Sequence, residues 1–69
     1  MNSTVTWVGT EPKNCDICHE PLTRCFYDGK TTMGPWATMC SSCFSRFGYG
    51  LGVGKGQKYD LVTLRKVEG

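Results

Sequence analysis

Apolar residues in this chain come in short bursts, each broken by glycine, proline or a polar turn. Residues 3–8, Ser-Thr-Val-Thr-Trp-Val, are rich in β-formers and predict a short strand. Residues 9–14 contain Pro12 and predict a turn. A second strand is predicted over 22–28, Leu-Thr-Arg-Cys-Phe-Tyr-Asp, with Asp28-Gly29 as its turn signal. Residues 36–40 predict the return strand of a hairpin whose loop, 29–35, is polar and exposed. Phe44 and Phe47 are spaced i and i+3, so a short helix entered from 40–43 would carry both on one face. Ser41 and Ser42 are candidate N-caps and Gly48 a candidate stop. Between 48 and 56 glycine alternates with other residues, which argues against helix, since each interior glycine costs about 1 kcal/mol relative to alanine. Residues 59–67 predict a closing strand paired with 3–8.

The hydrophobic pattern alone does not supply enough core. At 69 residues, one domain is the ceiling. A domain of that size buries only about 60% of its unfolded surface. Burial and chain entropy then nearly cancel, and a staple is needed.

Two cysteine pairs offer one: Cys15-Asp16-Ile17-Cys18 and Cys40-Ser41-Ser42-Cys43, with 21 residues between them. Two residues between paired thiolates let one tight turn present both sulfurs to one ion, and the second pair completes a tetrahedral set. A structural zinc contributes about 10–16 kcal/mol to folding in finger peptides. Disulfides are the competing staple. Against them, the cysteine count is five, which leaves a thiol over. The N-terminal segment also lacks the basic and apolar regions of a secretory signal. A reducing cytoplasm is therefore the expected setting, and there paired cysteines more often hold metal. No apolar run approaches the roughly 20 residues of a membrane span.

Metal changes the charge reading. The formal net charge is +2 with neutral thiols. Four thiolates and one Zn2+ contribute −2, leaving the loaded chain neutral, which is not the signature of a polyanion binder. The distribution is uneven. Residues 1–43 carry three cations against four carboxylates, and residues 44–69 carry five against two. Any anion-binding surface is expected from the C-terminal third: Arg46, Lys55, Lys58, Arg65 and Lys66, with Tyr49 beside them. The bland reading of the same charges is solubility.

A knuckle, a hairpin and a helix entered through the second cysteine pair predict a small metal-stabilised α+β fold. Met39-Cys40-Ser41-Ser42-Cys43-Phe44 resembles the Cys-x2-Cys helix entry of treble-clef fingers of the GATA type, and Gly34-Pro35-Trp36 is similar to that family's Pro-Leu-Trp region. The resemblance covers about residues 14–49 and implies a treble clef with one structural zinc. The basic extension with which GATA fingers grip DNA is replaced here by the glycine run. A zinc ribbon, with two knuckles and no helix, is the alternative fold. Trp36 to Phe44, followed by the Gly-x-Gly run and Gly56-Gln57-Lys58-Tyr59, also resembles small uncharacterised proteins of tailed bacteriophages. That resemblance implies a bacterial-host cytoplasm and a host or phage partner.

Cys15, Cys18, Cys40 and Cys43 are thus the expected ligands, and a complete thiolate set has no open position for activating water. Cys25 reads as a small apolar filler, with a redox thiol or a substitute ligand as the alternatives. His19 reads as a non-ligand, the four-cysteine set being complete. Gly54-Lys55 fails as a phosphate loop, because Tyr49 and Gly56 stand where glycine and Ser/Thr are required. The glycine run either permits a tight path across the zinc knuckle or offers backbone N–H groups to an anion. One histidine without paired carboxylates, and no His-x-Glu, leave no catalytic constellation. The expectation is a non-enzymatic module that binds a protein, the alternative being a nucleic-acid-binding finger. A membrane or a small-molecule substrate is not expected.

Overall fold

The computed structural model describes residues 6–7 and 9–69. Its described residues form four strands and one helix: β1 (Cys25–Lys30), β2 (Trp36–Met39), α1 (Ser41–Phe47), β3 (Gly56–Asp60) and β4 (Lys66–Glu68). The strands make one antiparallel sheet in the order β2-β1-β3-β4. The expected α+β class holds, with the helix that a ribbon lacks.

Strand alternation divides the core between the two faces of the sheet. On one face Phe26 of β1 stacks on Tyr59 of β3 with ring centroids 5.2 Å apart. Trp7 meets both rings edge-on, at 5.1 and 5.4 Å. On the other face Tyr27 stacks on Phe44 of α1 at 4.4 Å, and Ala37 and Met39 are buried with them. The helix therefore lies against β1 and β2. Phe44 and Phe47 are both partly buried against the core, as their i, i+3 spacing predicts.

The cap of α1 differs from the expected serines. Cys40 is the N-cap, its sulfur accepting from the Cys43 N–H, while Ser41 and Ser42 occupy the exposed first turn. A cysteine sulfur takes the place of the usual oxygen. Gly48 ends the helix, its N–H donating to the Phe44 carbonyl.

Asp28-Gly29 is not a turn. Both residues lie inside β1, and the reversal falls at 31–35, where Thr31 is buried and donates its hydroxyl to the Pro35 carbonyl. The reason for Gly29 is steric. A Cβ there would come within 2.9 Å of the Lys55 carbonyl and 3.3 Å of the Phe44 ring. Gly48 and Gly56 line the same ring, where an added Cβ would lie 2.6 and 3.1 Å from it. The Phe44 ring thus sits in a socket of three glycines, two of them from the glycine-rich run. The run crosses the hairpin tip, where the Lys30 N–H donates to the Lys55 carbonyl, and not the knuckle. Gly56→Ala should overpack this socket and cost about 1–3 kcal/mol. An unchanged denaturant midpoint would show the socket to be slack.

The closing strand is also broken. Residues 59–67 divide into the end of β3, a turn, and β4. Asp60 accepts from the N–H groups of Val62 (2.8 Å) and Thr63 (2.9 Å), and these bonds hold its carboxyl below the usual range. Leu64 takes a left-handed φ of 61° to complete the reversal. Of the predicted partner strand 3–8, residues 3–5 and 8 lie outside the described residues. Thr6 forms a single bridge to Arg65, and the Trp7 N–H donates to the Leu64 carbonyl at 2.7 Å.

Candidate metal centre

Each cysteine pair is held by its own backbone device. Around the first, the chain makes a small hairpin: Asn14 bridges Pro21, Leu22 N–H donates to the Lys13 carbonyl, and Cys15 N–H donates to the Glu20 carbonyl. His19 N–H returns to the Cys15 carbonyl at 2.9 Å, with His19 in a left-handed φ of 65°. Ile17 N–H donates to the Cys15 sulfur at 3.3 Å. The second pair sits at the first turn of α1, with Cys40 as cap and Cys43 inside. The two pairs are therefore unequal, one on a knuckle and one at a helix start.

Asp16 joins the two halves. Its N–H donates to the Thr38 carbonyl at 2.8 Å, and its carboxylate accepts from the Thr38 N–H at 2.9 Å. The knuckle is thereby clamped to β2 two residues before Cys40. The sequence reading missed this role, because a residue between two ligands carries no local mark of the strand it will meet.

Among the described residues, the sulfurs of Cys15, Cys18, Cys40 and Cys43 all lie within 4.8 Å of one another. Cys18 and Cys40 sulfurs are 3.8 Å apart. Four thiolates held about 2.3 Å from one tetrahedral ion would stand about 3.8 Å apart. The four expected ligands are therefore arranged to hold one metal ion. None of the five cysteines is in a disulfide. Cys15 and Cys43 are buried, Cys40 half-buried and Cys18 exposed. Cys25 stands outside the cluster, half-buried in β1 opposite Asp60. His19 is exposed and is not part of it either.

The electrostatics of the cluster ask for a cation. Burial works to raise the Cys15 thiol, but hydrogen bonds from the backbone of Cys18, Cys40 and Ile17 outweigh it and bring the thiol down to about 6. Cys43 goes the other way, pushed up to about 12 by burial and then by the sulfurs of Cys15, Cys40 and Cys18. One thiolate forms readily and makes the next ones costly. A divalent cation at the centre removes that conflict, since coordinating thiols are deprotonated outright.

The six residues expected to meet a partner fall into separate places. Arg46 is exposed on α1 with its guanidinium 5.2 Å from the Phe47 ring centroid. Tyr49 is exposed, with the Lys30 ammonium 5.8 Å above its ring. Lys55 lies in the glycine loop beside Lys30. These three share the hairpin-tip end of the molecule. Lys58 is half-buried in β3, its ammonium 5.8 Å from the Tyr27 ring. Arg65 bridges Thr6, and Lys66 donates to the Gly69 carbonyl from β4. Lys30 was missed because it fell in a predicted turn. Its signal was available all the same: from Gly29 to Tyr59 the sequence contains no Asp or Glu.

No known protein family, curated protein or solved structure matches the chain.

Proposed function

We propose that the ion is zinc, that it is structural, and that the chain is a treble-clef-like module whose task is to bind another protein. The observation that carries this reading is the convergence of four cysteine sulfurs on one point. Soft thiolates in a tetrahedral set suit zinc, and a full set of four leaves no coordination position for substrate or water. Work for such a module lies on its surface. The order knuckle, hairpin, helix, with the second ligand pair at the helix start, supports the treble clef over a ribbon. A bacterial cytoplasm, reducing enough to keep the thiolates available, is the setting that fits.

Exposed large apolar side chains support a protein partner: Met33, Trp36, Tyr49 and Val53 all lie on the hairpin and the glycine loop. A nucleic-acid partner is the second reading, favoured by the carboxylate-free stretch from Gly29 to Tyr59. Its binding would weaken steeply with salt.

Metal analysis of protein purified without chelator should find one zinc per chain. Cobalt(II) substitution should give the intense visible bands of a tetrahedral thiolate site. Substoichiometric metal, or the weak spectrum of an octahedral oxygen site, would sink the reading.

A further inference from the structure

Helix α1 begins at the sulfur cluster and ends at the hairpin tip, so the molecule has two chemically different ends. At the tip, three segments meet through the backbone. Thr32 N–H donates to the Phe47 carbonyl at 2.8 Å, Thr31 bridges Gly48, and Lys30 N–H donates to the Lys55 carbonyl at 2.9 Å. Every charged residue these segments bring is a cation: Lys30, Arg46 and Lys55. The nearest carboxylate in sequence, Asp28, is engaged by the Trp36 indole N–H at 2.7 Å. The acids Asp16 and Glu20 belong to the knuckle, at the other end of α1.

Among these cations stand side chains the fold leaves outside. Met33 is 55% exposed, Tyr49 53% and Val53 93%. Tyr49 and Phe47 each carry a cation over the ring face. The tip therefore carries exposed apolar and aromatic side chains and three cations on segments joined by backbone hydrogen bonds, with Gly29, Gly48 and Gly56 packed around the Phe44 ring.

We propose that this tip docks an acidic segment of another protein, one that places carboxylates around an apolar side chain. The proposal rests on the reading of the chain as a binding module and names the partner's chemistry. Carboxylates complement Lys30, Arg46 and Lys55, and an apolar side chain buries Met33 and Val53. Met, Tyr and Arg are also the side chains enriched where proteins meet. Nucleic acid fits less well. Aliphatic Met33 and Val53 gain nothing from a phosphate backbone.

The test is an amide chemical-shift titration of isotope-labelled, zinc-loaded protein with three probes. These are a short synthetic peptide of alternating Glu and Leu, the same peptide with Lys for Glu, and oligo-dT. The acidic peptide should move the amides of residues 30–33, 46–49 and 53–55 and leave Cys15 to Cys18 still. The double variant K30E/K55E should weaken it at least about tenfold, through lost and reversed charge. M33S/V53S should weaken it as well, which a purely ionic contact would not show. All four substitutions are at exposed positions, and the dispersion of each variant's amide spectrum checks that the fold is intact. No response to the acidic peptide, an equal response to the acidic and basic peptides, or a response centred on the knuckle or β4 overturns the proposal. Tighter binding of oligo-dT than of the acidic peptide overturns it in favour of nucleic acid. Failure of the structural-zinc reading shows separately, as a chain that folds without zinc, and leaves the titration readable.

Discussion

Cys43→Ser should yield a chain that does not fold. Cys43 is one of the four clustered sulfurs, is buried against the core, and donates its N–H to the Cys40 sulfur at the head of α1. Structural zinc contributes about 10–16 kcal/mol in finger peptides. A small domain's whole net stability is about 5–15 kcal/mol. Loss of the ion as a whole removes a quantity as large as the second, and a serine hydroxyl in place of the Cys43 thiolate breaks the soft four-sulfur set that would hold it. Removing the ion from the unmodified chain with a strong chelator should do the same. Far-ultraviolet circular dichroism with and without chelator reads both results. Cys25→Ser is the control: it lies outside the cluster and should keep both zinc and fold. A cooperative thermal transition that survives chelation would overturn the idea that the metal staples this domain.

Phe26→Ala should give the largest loss among substitutions away from the metal. Phe26 is fully buried, stacks on Tyr59 and takes the edge of Trp7. Deleting a buried phenylalanine typically costs about 3–5 kcal/mol. The aromatic contacts each contribute about 0.5–1.5 kcal/mol beyond area, which places this site toward the upper end. Its signature should differ from that of Cys43→Ser. The sulfurs sit on the knuckle and the start of α1, so the variant should keep a tetrahedral cobalt spectrum while its denaturant midpoint collapses. If metal affinity falls in parallel with stability, the two halves are more tightly coupled than the Asp16–Thr38 clamp alone would make them.

What could be read from the sequence was what is written locally. A Cys-x2-Cys pair constrains one turn, so all four members of the cluster were identifiable from spacing. The i, i+3 phenylalanines likewise marked the helix from within a single turn. What failed depended on distant partners. Asp28-Gly29 looks like a turn to any local rule, yet Gly29 is a strand residue facing Gly56 across β1 and β3 and facing the Phe44 ring. The glycine run could not be assigned from sequence because its members differ in role. Gly48 and Gly56 are placed by close packing, whereas Gly54 takes a positive φ in open space. The break at residues 61–64 did leave a trace. Asp60 followed by Thr63 is an Asx-type turn signal, hidden by the β-branched and aliphatic residues around it. Grouping the basic residues by position in the chain also left out Lys30, whose segment is joined by backbone contacts to those of Arg46 and Lys55.

The clamp between Asp16 and Thr38 has a further consequence for how the molecule behaves in a crowd. In the order β2-β1-β3-β4, β2 is an edge strand, and an uncovered edge is a template on which another chain can add a strand. The knuckle covers the outward N–H and C=O of Thr38. The opposite edge, β4, is only three residues long and preceded by a bridge to Thr6. The clamp thus guards solubility as well as shape: while the knuckle is seated, the outward N–H and C=O of Thr38 are taken and the edge of β2 is a poor template for a second chain.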